Sequence, residues 1–221
     1  MHRTRIKICG LTREADVEQA AACGADAVGF VLYPASPRHV TAERAGQLAR
    51  RLPAFVTPVL LFVNASVEEV DAGLQAVPHA WLQFHGDETP QRCAELARGR
   101  PWLRAARVPL GAGAGGFDLL EFSDRFAAAA GLVVDAQAPG YGGGGHAFDW
   151  DALPWSHPRL GAAVRVVLSG GLTPANVTDG VRRVRPWGVD VSSGVEAAKG
   201  IKDPVKMAAF VAAVRQADAG Y

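Results

Sequence analysis

Residues 165–177, RVVLSGGLTPANV, place a short β-branched run directly before a glycine pair and a helix-starting signal. Short valine-rich runs that end at turn residues are typical of buried strands in parallel sheets. Thr173-Pro174 pairs an N-cap residue with a proline suited to the first helical position. The stretch therefore predicts a strand, a glycine turn and a helix in succession.

The same succession recurs along the whole chain, because apolar runs of strand length alternate with segments of helical period. The predicted strands are residues 5–9, 27–32, 57–62, 81–84, 103–108, 132–135, 165–169 and 189–192. Eight such units in 221 residues predict an α/β fold with a single domain, residues 1–221, arranged as a (β/α)8 TIM barrel. A doubly wound open sheet is the alternative, although only the barrel leaves no sheet edge exposed.

Helix signals lie between the predicted strands. Ser66 and Glu69 form an S-x-x-E capping box at the start of an apolar helical pattern. Gly24 follows three alanines and predicts the left-handed end of a helix over residues 13–23. Two further pairs of an N-cap residue and proline predict helix starts: Thr89-Pro90 and Asp203-Pro204.

Composition limits the class of partner. The formal charge of +1, from 23 basic and 22 acidic residues, provides no positive field for nucleic acid or an anionic membrane. Residues 27–32 form an apolar run far shorter than the roughly 20 residues that span a bilayer. The N-terminus lacks the apolar core of a signal peptide, so we expect a cytoplasmic protein with a small-molecule partner.

The cysteines and histidines do not predict a metal site or a disulfide framework. Cys9, Cys23 and Cys93 form no C-x-x-C pair, and the six histidines are scattered without H-x-H or H-E-x-x-H spacing. We therefore expect free thiols and no metal cofactor.

The first predicted strand ends on a cysteine. Strand alternation places Lys7 and Cys9 on one face, and Ile6 and Ile8 on the other, which would face the helices of a barrel. Cys9 would then point into the mouth, where the carboxyl ends of all eight strands meet. A small buried hydrophobe is the alternative role for this thiol.

Strand six ends on Asp135, a position at which barrels carry catalytic carboxylates. An aspartate that caps a loop is the alternative. Residues 139–146, PGYGGGGH, follow soon after and predict either a mobile flap over the mouth or a slack surface loop.

The turns after strands seven and eight share one chemistry. Glycines allow backbone N–H groups to approach an anion closely, and serine hydroxyls add donors. Barrels commonly bind phosphate after these two strands, so the turns predict a phosphate-bearing ligand. The candidate residues are Gly170, Gly171, Ser192, Ser193 and Gly194.

Further polar groups follow strands two and four. Arg38 lies on a proline-containing loop, and its planar guanidinium suits a carboxylate, with a surface ion pair as the alternative. Gln83 and His85 either line the mouth or cap a loop, and the residues alone do not decide between these roles.

Several motifs together carry a family resemblance that spans essentially the whole chain. In order, they are KICGLT, GADAVGFVLYPASPRHV, LFVN, QFHGDE, VVDA with its tail ending FDW, LSGGLTPANV and DVSSGVEAAKGIKD. Their number, order and spacing resemble the phosphoribosylanthranilate isomerases of tryptophan biosynthesis. The resemblance implies a (β/α)8 barrel that needs no cofactor and carries out an Amadori rearrangement of N-(5-phosphoribosyl)anthranilate.

The resemblance also implies roles for individual residues. Cys9, in the KICG motif, matches the family's general base, and Asp135 matches its general acid. Arg38 is expected to hold the anthranilate carboxylate, and the glycines and serines after strands seven and eight are expected to hold the phosphate. Lys7 would stabilise a Cys9 thiolate unless Asp190 on strand eight takes up its charge.

The chain departs from the family pattern at Gly143, where a GGTG core often places a hydroxyl-bearing residue. This change removes one expected hydrogen bond from the flap. The histidine-pathway aminoaldose isomerase is the nearest alternative, but it uses an aspartate where this chain has Cys9. A non-catalytic sugar-phosphate binder is the alternative from another class, because a fold does not determine a function.

Overall fold

The computed structural model describes residues 3–110, 117–137, 148–158, 160 and 164–220. Eight parallel strands close into a barrel in chain order, with β8 paired to β1. The strands are β1 Arg5–Cys9, β2 Ala27–Val31, β3 Thr57–Phe62, β4 Trp81–Phe84, β5 Trp102–Val108, β6 Gly131–Ala136, β7 Val166–Leu168 and β8 Gly188–Val191. The predicted (β/α)8 barrel is confirmed, and every predicted strand end lies within one residue of the observed end.

Helices lie between the strands of the described part of the chain. They are α1 Glu14–Ala22, α2 Ala42–Ala49, α3 Val67–Ala76, α4 Pro90–Ala97, α5 Leu119–Arg125, α6 Val177–Val184 and α7 Pro204–Asp218. The Ser66–Glu69 capping box is present, and Thr89 and Asp203 cap α4 and α7 as predicted. Gly24 has a positive φ of 92° just after α1, as the predicted helix end requires.

The predicted helix start at Thr173-Pro174 is wrong by three residues, since α6 begins after Asn176. The Asn176 side chain accepts a hydrogen bond from Thr173 N at 2.8 Å and donates one to Gly171 O at 3.0 Å. An asparagine side chain that closes a turn in this way competes with helix formation. Residues 174–176 therefore form a turn that supports the glycine loop after β7.

Side chains alternate across the barrel wall as the pattern predicts. Ile6 and Ile8 are fully buried in the large layer between the strands and the helices. Cys9 belongs instead to a small interior cluster with Val31, Leu61 and Val63. The first strand therefore directs its isoleucines outward and its cysteine into the barrel.

The lower interior of the barrel is apolar. Val59, Leu103, Val133 and Val167 form one buried cluster on β3, β5, β6 and β7, and we call it the floor. A cavity of about 230 Å³ adjoins the floor at the amino ends of the strands. The floor thus fills the barrel below the site and supports the residues above it.

A two-stranded hairpin follows β8, with β9 Glu196–Ala198 antiparallel to β10 Ile201–Lys202. Thr12 donates a hydrogen bond from Oγ1 to Gly200 O at 2.6 Å, and Asp16 of α1 accepts one from Lys202 N at 3.1 Å. These bonds attach the hairpin to the segment that follows Cys9. The hairpin therefore lies at the mouth of the barrel.

No helix in the described part of the chain is both long enough and apolar enough to cross a membrane.

Candidate active site

Cys9 and Asp135 lie at, or one residue before, the carboxyl ends of two strands that are not neighbours. Cys9 is the last residue of β1, and β6, which carries Asp135, lies three strands away through β8 and β7. Both side chains are nearly buried, with Cys9 5% and Asp135 6% exposed. The sequence predicts that both residues lie at the mouth of the barrel, and both are found there in the structure.

The Cys9 thiol occupies a space that only glycine on the neighbouring strand leaves open. Gly29 of β2 is its partner in register, and a Cβ at Gly29 would lie 2.6 Å from Cys9 Sγ. Burial raises the pKa of the Cys9 thiol, while the nearby charge of Lys7 opposes that rise. Cys9 is therefore a buried thiol whose ionisation depends on adjacent cations.

Lys7 is paired inside the barrel. Its Nζ lies 3.0 Å from Asp190 Oδ1, and the two residues face each other in the register of β1 and β8. Lys7 also interacts electrostatically with the Cys9 thiol. Burial lowers the pKa of Lys7, but Asp190 and Cys9 outweigh burial, so the pKa is raised. Lys7 therefore stays protonated, pairs with Asp190 and still acts on Cys9.

Asp135 has a buried imidazole beside it. His85 Nε2 stands 3.3 Å from Asp135 Oδ2, and Gln83 Nε2 is 3.1 Å from His85 Nδ1. Because the Gln83 amide nitrogen can only donate, Nδ1 accepts the bond and the neutral ring carries its proton on Nε2. Gln83 and His85, undecided from the sequence, thus lie at the mouth, where His85 Nε2 is close to Asp135 without a hydrogen bond to a described residue.

The loop after His85 is held by buried charge. Glu88 accepts hydrogen bonds from Gly86 N at 2.9 Å and from Arg104 Nη1 at 3.0 Å. Arg104 also donates to the backbone oxygens of Phe84 and Gly86. This network lies outside the mouth and keeps the end of β4, and with it His85, in place.

The turns after β7 and β8 touch each other. Gly170 and Gly171 have φ values of 78° and 64°, in the left-handed region that glycine tolerates. A Cβ at Gly194, in a short 3₁₀ helix over Ser193–Val195, would lie 1.8 Å from Leu172 O. The two turns therefore form one continuous cradle of backbone and serine groups, with the chemistry of a phosphate site.

Gly170 also borders the proposed acid. A Cβ at this position would lie 3.0 Å from Asp135 Oδ1 and 2.5 Å from Ala136 N. A side chain here would displace the end of β6. Gly170 thus joins the cradle to Asp135.

Arg38 is almost buried and forms a bidentate ion pair with Glu196 of the hairpin. Arg38 Nε lies 2.7 Å from Glu196 Oε1, and Nη2 lies 2.8 Å from Oε2. Lys202 Nζ reaches the same carboxylate at 3.0 Å. The sequence prediction missed Glu196 and Lys202, because the only sequence signal is their presence in the motif DVSSGVEAAKGIKD.

The described residues contain no group of three or more His, Cys, Asp or Glu side chains arranged to hold a metal ion. The glycine-rich segment predicted as a flap, residues 139–146, lies outside the described residues, and so does Gly143.

The fold and the site together define a (β/α)8 barrel enzyme of the isomerase class, with Cys9 and Asp135 at its mouth beside the glycine turns after β7 and β8. The family model for N-(5'-phosphoribosyl)anthranilate isomerase matches residues 6–213. The isomerase of this name from Leptothrix cholodnii is 61% identical over 217 residues, which cover 98% of this chain and 93% of that protein. The chain belongs to the N-(5'-phosphoribosyl)anthranilate isomerase family.

Solved structures agree with this assignment. The phosphoribosyl anthranilate isomerase of Thermotoga maritima superimposes with a TM-score of 0.83 at 35% identity, covering 96% of this chain and 99% of that one. A phosphoribosyl anthranilate isomerase in complex with reduced 1-(o-carboxyphenylamino)-1-deoxyribulose 5-phosphate gives a TM-score of 0.76 at 32% identity, with the same coverage.

Proposed function

We propose that this chain catalyses the Amadori rearrangement of N-(5-phosphoribosyl)anthranilate to 1-(o-carboxyphenylamino)-1-deoxyribulose 5-phosphate in tryptophan biosynthesis. The observation that carries the proposal is the placement of Cys9 and Asp135 across one mouth, with the cradle and Arg38 beside them. The substrate has a phosphate at one end and a carboxylate at the other, which matches two separate anion sites.

Asp135 acts as the general acid. Its protonated carboxyl donates a proton to the ribose ring oxygen, and the C1′–O bond breaks as the anilino nitrogen lone pair forms a C=N bond. The product of this step is an open-chain iminium. His85 Nε2–H, 3.3 Å from Asp135, then faces the carboxylate that remains.

Cys9 acts as the general base. Its thiolate removes the C2′ proton, and the electrons of that C–H bond form an enolamine that tautomerises to the ketone. Because burial raises the pKa of Cys9, the reactive thiolate depends on Lys7, whose charge opposes that rise. The acid acts on the ring oxygen and the base then acts on the C2′ proton, so the two groups need to approach the sugar from two sides.

Binding uses the remaining groups. Gly170, Gly171, Ser192, Ser193 and Gly194 bind the phosphate through backbone N–H groups and hydroxyls. Arg38 binds the anthranilate carboxylate with the edge of its guanidinium that Glu196 leaves open. Two anchored ends orient the sugar between acid and base.

We further propose that residues 1–221 act as one catalytic unit in the cytoplasm on a small-molecule substrate. The closed barrel supports the first part of this proposal, because all the residues named for the reaction lie at one mouth.

The test is a coupled assay in which phosphoribosylanthranilate is generated in situ and its anthranilate-type fluorescence is followed after the purified protein is added. We expect the fluorescence to fall faster than in the uncatalysed control. An unchanged rate at micromolar protein would overturn the assignment.

A further inference from the structure

Glu196 takes up one edge of the Arg38 guanidinium. Its two oxygens accept from Arg38 Nε at 2.7 Å and Nη2 at 2.8 Å, and both side chains are less than a tenth exposed. A guanidinium has a side edge, formed by Nε and Nη2, and an end edge, formed by Nη1 and Nη2. Among the described residues, none accepts a hydrogen bond from Arg38 Nη1. Glu196 therefore directs the end edge of Arg38 away from itself.

Arg38 lies directly against the proposed catalytic strand. A Cβ on Gly10, the residue after Cys9, would lie 2.5 Å from Arg38 Cδ and 3.1 Å from Ser192 Oγ. Gly10 has a φ of 77°, so both its backbone and its lack of a side chain suit this contact. The aliphatic part of the Arg38 side chain therefore packs on Gly10, next to Ser192 of the loop after β8.

Lys202 ties Glu196 to that same loop. Lys202 is only 1% exposed. Its Nζ lies 3.0 Å from Glu196 Oε1, 3.0 Å from Ser192 O and 3.4 Å from Ser192 Oγ. An ammonium has three protons, and these three acceptors use them all. Lys202 therefore has no proton left for a ligand and serves as a fixed link between Ser192 and Glu196.

Glu196 itself is not a proton-transfer group. Its oxygens accept from Arg38 Nε, Arg38 Nη2, Lys202 Nζ and Gly200 N. Burial raises the pKa of Glu196, but the hydrogen bond from Arg38 and the charge of Lys202 outweigh burial and lower it. A carboxylate that is ionised and fully hydrogen-bonded positions its partners.

We propose that Glu196, held by Lys202, is a positioning residue that fixes the end edge of Arg38 at a set distance from the cradle. This fixed position makes the site select substrates that carry a carboxylate. This inference rests on the proposed function, since it concerns how the same substrate is recognised. The group Arg38–Glu196–Lys202 has two positive charges and one negative, and the remaining positive charge suits one carboxylate. Without Glu196, two buried cations would repel each other, and Arg38 would need to be ordered by the substrate at a cost in binding.

The experiment compares Glu196→Gln with the unmodified protein on two substrates, N-(5-phosphoribosyl)anthranilate and N-(5-phosphoribosyl)aniline, which lacks the carboxylate. On the anthranilate substrate we expect KM to rise about 10- to 100-fold, the cost of losing one charge-assisted hydrogen bond, while kcat changes less than about 3-fold. On the aniline substrate we expect less than about a 3-fold change in either parameter. A general structural defect would affect both substrates alike, so equal losses would overturn the positioning role.

Binding is measured in parallel, with reduced 1-(o-carboxyphenylamino)-1-deoxyribulose 5-phosphate and its counterpart without the carboxylate as competing ligands. This measurement decides the case if turnover of the aniline substrate is too slow to follow. Equal loss of affinity for both ligands in Glu196→Gln would contradict the inference, and loss for the carboxylated ligand alone would support it.

Lys199→Gln is the matched control, because Lys199 lies exposed in the same hairpin and its loss changes charge without touching Arg38. It should leave KM and kcat unchanged for both substrates.

If Glu196→Gln does not fold, Glu196→Asp is the second variant, because it keeps the buried charge but shortens the side chain. It should show the same carboxylate-dependent rise in KM, but a smaller one. An unmodified protein that turns over neither substrate would overturn the proposed function and this inference together. Turnover with equal effects on both substrates would overturn this inference alone.

Discussion

The two ends of the barrel interior differ sharply in chemistry although the same strands build both. At the carboxyl end the inward residues include Cys9, His85 and Asp135, which are polar, nearly buried and held by neighbours. At the amino end, Val59, Leu103, Val133 and Val167 form the apolar floor. We therefore expect reactivity to depend on the polar residues at the carboxyl end and stability to depend on the apolar residues below them.

The ion pair of Lys7 and Asp190 lies between these two ends. Both side chains are buried, the charge of Lys7 acts on the Cys9 thiol above it, and Lys7 borders the cavity below it. A buried pair of this kind contributes little net stability, but it fixes where the charge lies. Lys7 therefore belongs to both regions, and substitutions there should affect both activity and stability.

The largest expected effect is on the acid and the base. Cys9→Ala and Asp135→Asn should each lower kcat by about 10²- to 10⁴-fold, because each removes a positioned proton-transfer group. The free energy of unfolding should change little, since neither residue belongs to the floor. Steady-state kinetics and urea denaturation measure the two quantities on the same samples.

For this first prediction, Cys23→Ala is the matched control, because Cys23 is a half-buried thiol at the end of α1, away from the mouth. It should retain full turnover. Near-normal kcat in Cys9→Ala or in Asp135→Asn would remove that residue from the mechanism.

The next effect in size concerns the residue shared by both regions. Lys7→Met leaves Asp190 buried without its partner and should lower the free energy of unfolding by about 3 to 5 kcal/mol. The double variant Lys7→Met/Asp190→Leu should recover most of that loss. Because Lys7 opposes the rise in the pKa of Cys9, its removal should also move the limb of the kcat/KM pH profile that reports Cys9 ionisation to higher pH.

One outcome for Lys7→Met would contradict the expected shift of the pH profile. If the limb stays in place in Lys7→Met, then Lys7 does not set the ionisation of Cys9, and its role is confined to the pair with Asp190.

A third substitution tests the floor alone. Val133→Ala removes two methyl groups from a fully buried side chain of β6 and should lower the free energy of unfolding by about 2 to 3 kcal/mol. The kcat value should stay within about 2-fold of the unmodified protein, although Asp135 lies only two residues further along the strand. A large loss of kcat with normal stability would show that the two ends of the barrel are not separable.

Most of the fold could be predicted from the sequence because its signals are local. Valine-rich runs such as residues 165–169, with glycine turns at their ends, predict strands to within one residue. The start of α6 was predicted wrongly because the Asn176 side chain closes a turn onto Gly171 and Thr173, and a Thr-Pro pair does not report that contact.

The predicted site residues fall at the mouth, but their partners could not be foreseen. Glu196 lies 158 residues from Arg38 along the chain, and only the closed barrel brings the two together. The same holds for His85, which follows β4, and Asp135 of β6, because β4 and β6 do not neighbour each other. Residue types at strand ends predict which chemistry is present, whereas hydrogen-bond partners depend on the three-dimensional register.

The smallest expected effect compares the thiol at the mouth with one in the outer layer. Cys93 of α4 is fully buried among apolar side chains, and burial raises the pKa of its thiol to about 12. In the unfolded chain a thiol titrates near about 8.5. A group with a raised pKa in the folded state contributes stability below the unfolded value, and this stability is lost as pH rises toward the folded value. The free energy of unfolding should therefore fall by about 1 kcal/mol between pH 8 and pH 9.5 through Cys93 alone.

Urea denaturation of Cys93→Ala across this range should show a shallower pH dependence than the unmodified protein. Parallel curves would show that the thiol ionises equally in the folded and unfolded states. Because Cys93 lies away from the mouth, kcat in Cys93→Ala should be unchanged, which would distinguish a thiol that fills space from one that moves a proton.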